Sequence, residues 1–197
     1  MTKREVLLLL TDHWADWEAS HAIVGVNNTD NYTVKTIAID KQPKISIGGI
    51  RAEIDYTIDE YQRLDNLAMV ILTGSFSWGE NSYNEIADFV KKANDIGIPI
   101  AAICGATIFL GKHGFLDNIK HTGDDLEYFQ EMLEDEEGYK GQGNFIAKQA
   151  VNDGGFITAN ETAALEFARE IFRVLKTDTD EEINGWYEAH KHGMTKE

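Results

Sequence analysis

Cysteine, proline and basic residues are all scarce in this sequence. Cys104 is the one cysteine among 197 residues, so no intrachain disulfide is possible, and a metal site built from cysteines would need more thiolates. The two prolines and the lack of low-complexity tracts exclude disordered and fibrous classes. The chain has 18 Lys and Arg against 34 Asp and Glu, a formal net charge of −16. Such a surface repels phosphates and anionic lipids, so we expect neither nucleic acid nor a membrane as partner.

Long hydrophobic runs are also missing. The apolar run at residues 6–10 is too short for a signal-peptide core or a membrane span. We therefore expect a cytoplasmic protein in a reducing compartment, where a lone thiol stays free. The chain length suits one domain with a sizeable core. We predict a single domain over residues 1–176 and a helical extension over 177–197 that packs on it.

Short apolar runs alternate with amphipathic segments along the chain. Buried strands are predicted at residues 6–10, 32–39, 68–73 and 98–103, and helices at 14–26, 84–96, 104–113 and 124–133. This alternation predicts an α/β fold with a mostly parallel sheet covered on both faces. Ligand sites of such sheets lie at the carboxyl ends of the strands.

Shorter elements are predicted between and after these. Gly48 and Gly49 indicate a hairpin over residues 45–55. Further strands are expected at 119–122, 144–151 and 156–158. Asn160 is expected to cap a helix whose apolar stripe is Ala164, Ala168, Ile171 and Leu175. The acidic run 134–137 is interpreted as a solvated face.

The segment around Cys104 carries the strongest chemical signal. A buried strand runs directly into Cys104, and the small residues Gly105 and Ala106 follow, which is the strand–turn–helix context of a nucleophile elbow. A helix N-terminus favours the thiolate. The N–H of Gly105 and a second donor at Gly74 or Ser75 could stabilise an oxyanion. The alternative is that Cys104 is simply a small buried apolar residue.

Other strand ends add polar and aromatic candidates. Asp12 and His13 follow the first strand and are candidate substrate-binding residues. The aromatic residues expected either at the mouth of a pocket or in an interface are Trp14, Trp17, Phe76 and Trp78. No phosphate-binding glycine loop follows the first strand, so a flavodoxin-like nucleotide binder is disfavoured. His190 and His192 do not have the spacing of a helical metal-ligand pair, and we expect no metal and no cofactor.

Taken in order, several segments resemble the ThiJ/PfpI superfamily, also called the DJ-1 family, a branch of the class I glutamine amidotransferase-like fold. The segments are residues 12–18, 70–74, 98–110, 114–117, 120–122 and 153–166, within a resemblance that covers about 4–176. The resemblance implies a flavodoxin-like three-layer sandwich with the cysteine at the elbow. It also implies a glutamate on the first helix whose carboxyl contacts the sulfur, a position that Glu18 matches. Because relatives commonly dimerise, a homodimer is expected.

The histidine base of these relatives has no clear counterpart here. In the protease-like subset it directly follows the cysteine, where this chain has Gly105. In other members it lies two residues past a threonine, and counting from Thr122 that place falls on Asp124. His121 lies three residues earlier than that place. Asp124 and His121 are therefore the candidate bases, with the alternatives that Asp124 caps the next helix and that His121 lies at the surface or only supports other site residues. Peptidase activity is disfavoured.

Two functions follow from a reactive Cys104. In the first, Cys104 attacks a carbonyl or amide carbon of a small-molecule substrate, as a hydrolase or lyase does. In the second, Cys104 is a non-catalytic redox sensor that is oxidised to a sulfinate. A carboxyl buried beside the sulfur is pushed toward its protonated form, so Glu18 could donate a hydrogen bond to either a thiolate or a sulfinate.

Overall fold

Strands and helices alternate in the computed structural model, which describes residues 2–79, 83–133 and 139–194. The strands are β1 Arg4–Leu9, β2 Tyr32–Ala38, β3 Lys44–Ile45, β4 Arg51–Ala52, β5 Tyr56–Thr57, β6 Leu67–Leu72, β7 Ile100–Ile103, β8 Ala150–Asp153 and β9 Phe156–Ala159. The α-helices are α1 Ser20–Asn27, α2 Asn84–Asp95, α3 Gly105–Lys112, α4 Leu126–Met132, α5 Ala164–Leu175 and α6 Asp180–His192. The acidic run 134–137, predicted to be a solvated face, lies outside the described residues.

Seven of these strands form one sheet, in the order β5-β2-β1-β6-β7-β9-β8. Every pairing in it is parallel except that of the edge strand β8, which runs antiparallel to β9. The predicted α/β fold with a mostly parallel sheet is therefore confirmed. The predicted hairpin is also present, as β3 pairs antiparallel with β4.

Helices cover both faces of the sheet, which explains why β6 and β7 are apolar throughout and β1 is apolar from Val6 onward. Along β1, alternate residues face opposite sides: Leu7 and Leu9 pack in one core cluster, and Val6 and Leu8 in the other. Helices α2, α3 and α4 contribute to the first cluster. Helices α1, α5 and α6 contribute to the second. The result is the three-layer arrangement expected from the resemblance.

Several element boundaries differ from the predicted ones. Helix α1 begins at Ser20 rather than at residue 14, because the backbone of Trp14 forms bridges with Ser46 and Ser75 instead. Glu18 therefore lies in the turn before α1, not on the helix. The strand predicted at 119–122 is reduced to one bridge between His121 and Phe145.

The strand predicted at 144–151 is also shorter than expected. It begins only at Ala150, because the preceding residues pair elsewhere: Gln142–Asn144 form a 3₁₀ turn, and Phe145 bridges to His121. Asn160 does not cap α5, whose N-cap is Ala163; its Oδ1 accepts from the N–H of Thr162 in the preceding turn at 3.0 Å.

The C-terminal helix α6 packs against α5. Thr179 and Glu182 form a reciprocal capping box at its start, and Ile183 is buried. The Trp186 ring meets the Phe172 ring at 4.9 Å between centroids. Across the described ranges, no helix combines the length and the apolar character needed to cross a membrane.

Candidate active site

Cys104 lies at a sharp turn between the central strand β7 and helix α3. Its backbone adopts φ 57° and ψ −134°, a conformation that costs a non-glycine residue about 1–3 kcal/mol. Neighbouring hydrogen bonds hold it there: its N–H donates to Ala159 O at 3.0 Å, and its carbonyl accepts from the Thr107 N–H at 2.8 Å. The hydroxyl of Thr107 also donates to that carbonyl, at 2.7 Å. This is the backbone geometry of a nucleophile elbow.

The carboxyl of Glu18 is buried beside Cys104. Glu18 is 0% exposed, and its Oε2 accepts from the Gly74 N–H at 2.6 Å. Its Oε1 is buried and has no hydrogen-bond partner among the described residues. A Cβ on Gly74 would lie 2.7 Å from Glu18 Oε1 and 2.8 Å from Cys104 Cβ. Gly74 is therefore a glycine because both side chains occupy the space that any larger residue would need.

Burial governs the protonation of both groups. It raises the pKa of the Glu18 carboxyl from 4.5 to about 7, against the opposing effect of the Gly74 N–H. Burial also raises the pKa of the Cys104 thiol far above its ordinary value, and the negative charges of Glu18 and Asp124 raise it further. The N–H of Gly105 lowers this pKa but does not compensate. The expectation of an easily ionised thiol is therefore wrong for the free site.

A cavity of about 570 Å³ opens over Cys104. Its described lining consists of Ala15, Trp17, Glu18, Ile47, Gly74, Ser75, Phe76, Trp78, Gly79, Cys104, Gly105, Ile108, Asp124, Tyr128, Met132 and Glu161. Trp17, Phe76 and Trp78 lie on this wall, as the pocket-mouth interpretation predicts. Trp14 does not line it and is buried in the second core cluster.

The carboxyl of Asp124 lies close to the Cys104 sulfur. Its Oδ1 accepts from the Glu161 N–H at 2.7 Å, and burial raises the pKa of its carboxyl. The ligand atoms of Cys104, Asp124 and Glu161 lie within 4.8 Å of one another, a set that could face one cation. The alternative role of Asp124 as a helix cap is wrong, since Asp125 caps α4 by accepting from the Tyr128 N–H at 2.7 Å.

His121 is buried away from this cavity and is not brought to Cys104. Its Nδ1 is 2.8 Å from Ile119 O and its Nε2 is 2.6 Å from the Tyr139 hydroxyl. Burial lowers the pKa of its imidazole. With both ring nitrogens engaged and no place on the cavity wall, His121 has a structural role, and its prediction as a base is not supported.

Asp12 and His13 shape the neighbouring loop but do not line the cavity. The carbonyl of Asp12 accepts from the Ser75 and Ser77 hydroxyls at 2.6 and 3.0 Å. His13 is exposed, and its N–H donates to Ile45 O at 2.8 Å. Their predicted contact with substrate therefore finds no support in their positions.

The predicted oxyanion donors are only partly placed as expected. The Gly74 N–H is already committed to Glu18, which leaves the backbone of Gly105 and Ser75 on the cavity wall. Sequence reasoning missed Glu161 and Tyr128. Glu161 follows the carboxyl end of β9, and only the strand order, which puts β9 beside β7, brings it near Cys104.

The fold and site together define an α/β protein with a nucleophile-elbow cysteine and a buried carboxyl beside it. The sequence model of the DJ-1/PfpI family matches residues 4–174, and the chain belongs to this family. The predicted family is thus confirmed.

Two relatives in Bacillus subtilis (strain 168) are similar over most of their length. The uncharacterized protease YdeA is 36% identical over 192 residues, which cover 97% of this chain and 93% of the relative. The uncharacterized protease YoaZ is 32% identical over 198 residues, covering 97% and 92%. Among solved structures, a ThiJ/PfpI family protein from Bacillus anthracis superposes with a TM-score of 0.88 at 30% identity, covering 98% of this chain and 92% of that one.

Proposed function

We propose that the protein is a cysteine-dependent hydrolase or lyase that acts on a small carbonyl or amide substrate. The observation that carries this proposal is the strained Cys104 at the floor of a cavity of about 570 Å³. A cavity of this size suits a small molecule. Backbone strain of this kind concentrates at functional sites, where the surrounding structure holds it.

The described residues suggest how a hydrolytic reaction would run. Asp124 takes the proton of the Cys104 thiol as the sulfur attacks the substrate carbonyl carbon. The C=O electron pair moves to the oxygen, where the Gly105 N–H stabilises the charge. When the tetrahedral intermediate collapses, the protonated Asp124 gives the proton to the leaving group. Water then attacks the thioester, releasing the acid and restoring the thiol.

Peptide hydrolysis is not the reaction that we propose, although the two Bacillus subtilis relatives carry the word protease in their names. None of the described cavity-lining residues is a histidine. A cysteine peptidase uses a histidine both to accept the thiol proton and to protonate the leaving amine. A peptide substrate belongs in the test as a comparison.

The test is turnover of a panel of small aldehydes, amides and one peptide by the wild type and by Cys104→Ala. We expect turnover of at least one aldehyde or amide, and its loss in the variant. Asp124→Asn should lower kcat by about 10²-fold or more, the usual contribution of a general base. Asp88→Asn, which removes an exposed carboxyl on α2, is the matched control and should not change kcat. Undiminished turnover by Cys104→Ala would refute the proposal.

The second candidate function is redox sensing by the same thiol. The buried, unpartnered Oε1 of Glu18 favours it, because a protonated carboxyl there can donate a hydrogen bond to a sulfinate. Peroxide would supply both oxygen atoms. Mass spectrometry after mild peroxide treatment should then show a stable adduct of two oxygens on Cys104, and Glu18→Gln should change its yield. Oxidation confined to methionines would exclude this function.

A further inference from the structure

The wall of the cavity carries acids but no base. Glu18, Asp124 and Glu161 all line it together with the Cys104 thiol, and none of the described lining residues is Lys, Arg or His. Apart from burial, the groups that raise the pKa of Glu18 are the other two acids. The described surroundings of Cys104 therefore lack a positive charge to balance these carboxyls.

One acidic oxygen is also left without a partner. Glu18 is 0% exposed, and its Oε1 makes no hydrogen bond with any described residue, although it lies next to the Cys104 side chain on the cavity wall. Buried polar atoms in native proteins are generally paired, so this oxygen is left to hydrogen-bond a group of a bound ligand.

The rim of the same cavity is aromatic. Phe76 is 71% exposed, Trp17 48% and Tyr128 41%, and all three line the cavity. Exposed aromatic faces in a cavity attract organic cations through the negative faces of their rings. A bare metal ion would use the carboxylates but would leave both this rim and most of the 570 Å³ unexplained.

We propose that the cavity selects a substrate with an organic cation, an alkylammonium or guanidinium group, held between Asp124 and Glu161 while the aromatic rim covers its carbon skeleton. This inference rests on the proposed function and specifies its substrate class. The electrophilic carbon of such a substrate lies within reach of Cys104, because the sulfur and both carboxylates lie within 4.8 Å of one another. The substrate's own charge then stabilises the thiolate, an effect that the free protein lacks.

The experiment compares the rates at which Cys104 reacts with thiosulfonates of different charge. In each, the thiolate attacks the sulfenyl sulfur, forms a mixed disulfide and releases methanesulfinate. The reagents carry a trimethylammonium-ethyl group, a sulfonato-ethyl group or a neutral methyl group. Because Cys104 is the one cysteine, mass spectrometry reads a single site. Each rate is divided by that of the same reagent with 2-mercaptoethanol.

We expect the cationic reagent to react about 10-fold or more faster than the anionic one after this correction, and the advantage to shrink with salt. Asp124→Asn and Glu161→Gln should each reduce the ratio several-fold. Asp88→Asn, which removes an exposed carboxyl that does not line the cavity, is the control for net charge and should leave the ratio unchanged. A ratio near one, or a ratio that the control reduces as much as the cavity variants do, overturns the inference.

Three further outcomes separate this inference from a metal site and from the proposed function. If micromolar zinc protects Cys104 from all three reagents and no cation preference appears, the acids form a metal site and the inference is wrong. If neutral amides are turned over in a Cys104-dependent way without a cation preference, the substrate class is wrong but the proposed function stands. A preference for the cationic reagent without turnover of any substrate supports the cation site and excludes the proposed hydrolase or lyase activity.

Discussion

Replacing Glu18 by glutamine should change how stability depends on pH. The wild-type carboxyl is 0% exposed, and its pKa is raised to about 7 by burial. In the unfolded chain the same carboxyl titrates near 4.5. Glutamine has nearly the same shape, offers an oxygen to the Gly74 N–H, and has no proton to lose. The variant thus removes the titration and keeps most of the packing.

The direction and size of the effect follow from the two pKa values. Below pH 4.5 the carboxyl is neutral in both states, and between 4.5 and about 7 only the unfolded chain loses its proton. The wild-type free energy of unfolding therefore falls as the pH rises through this interval, and stops falling above the folded pKa. A pKa raised from 4.5 to about 7 corresponds to about 3 kcal/mol, since each pKa unit is worth ~1.36 kcal/mol.

Urea denaturation of the wild type and Glu18→Gln at several values from about pH 5 to about pH 8 measures this difference. As the pH rises across the series, we expect the free energy of unfolding of the variant to increase relative to that of the wild type by up to about 3 kcal/mol. Glu127→Gln, an exposed residue on α4, controls for the loss of one negative charge from an acidic protein. A difference between Glu18→Gln and wild type that is constant with pH would show that burial does not control this carboxyl.

Four further outcomes are expected. Gly74→Ala should lose about 1–3 kcal/mol of stability and slow Cys104 alkylation, because its Cβ would overlap the buried carboxyl and the Cys104 side chain. Its control is Gly143→Ala, which has open space around it and should change stability by no more than about 0.5 kcal/mol. His121→Phe should cost about 1–3 kcal/mol by leaving two polar groups unpaired, but should not change the alkylation rate. Thr179→Ala should cost about 1 kcal/mol through loss of the capping box. Sedimentation velocity tests the expected homodimer, which a monomer at all concentrations would exclude.

The fold could be predicted because burial leaves a periodic trace in the sequence. Strands β6 and β7, and β1 from Val6 onward, are apolar on both faces, and helix α2 buries Ile86, Phe89 and Val90 on one side only. The cysteine at the elbow was predictable because a buried run that ends at a cysteine and continues into small residues is a local signal. Nothing in these patterns depends on which strands become neighbours.

The rest of the site depends on contacts between distant segments. Glu161 reaches Cys104 because β9 lies beside β7, and Asp124 reaches Glu161 because its segment is held on β9, where the Thr122 N–H donates to the Thr158 hydroxyl at 2.9 Å. The sequence states neither arrangement. The thiol's acidity was predicted in the wrong direction for the same reason. The local effect of the helix N-terminus was visible in the sequence, but the burial and the two carboxyls that outweigh it were not.

The raised pKa of the Cys104 thiol affects how the site would work. A thiol whose pKa is raised by burial and by neighbouring carboxyls carries less of the reactive thiolate form at rest. Any ligand that brings positive charge to Asp124 and Glu161 removes part of that penalty at the moment it binds. Selectivity and activation would then have one physical origin, the unbalanced negative charge of the cavity wall. The comparison of charged thiosulfonates measures this coupling directly, since each reagent carries its charge and its electrophile in one molecule.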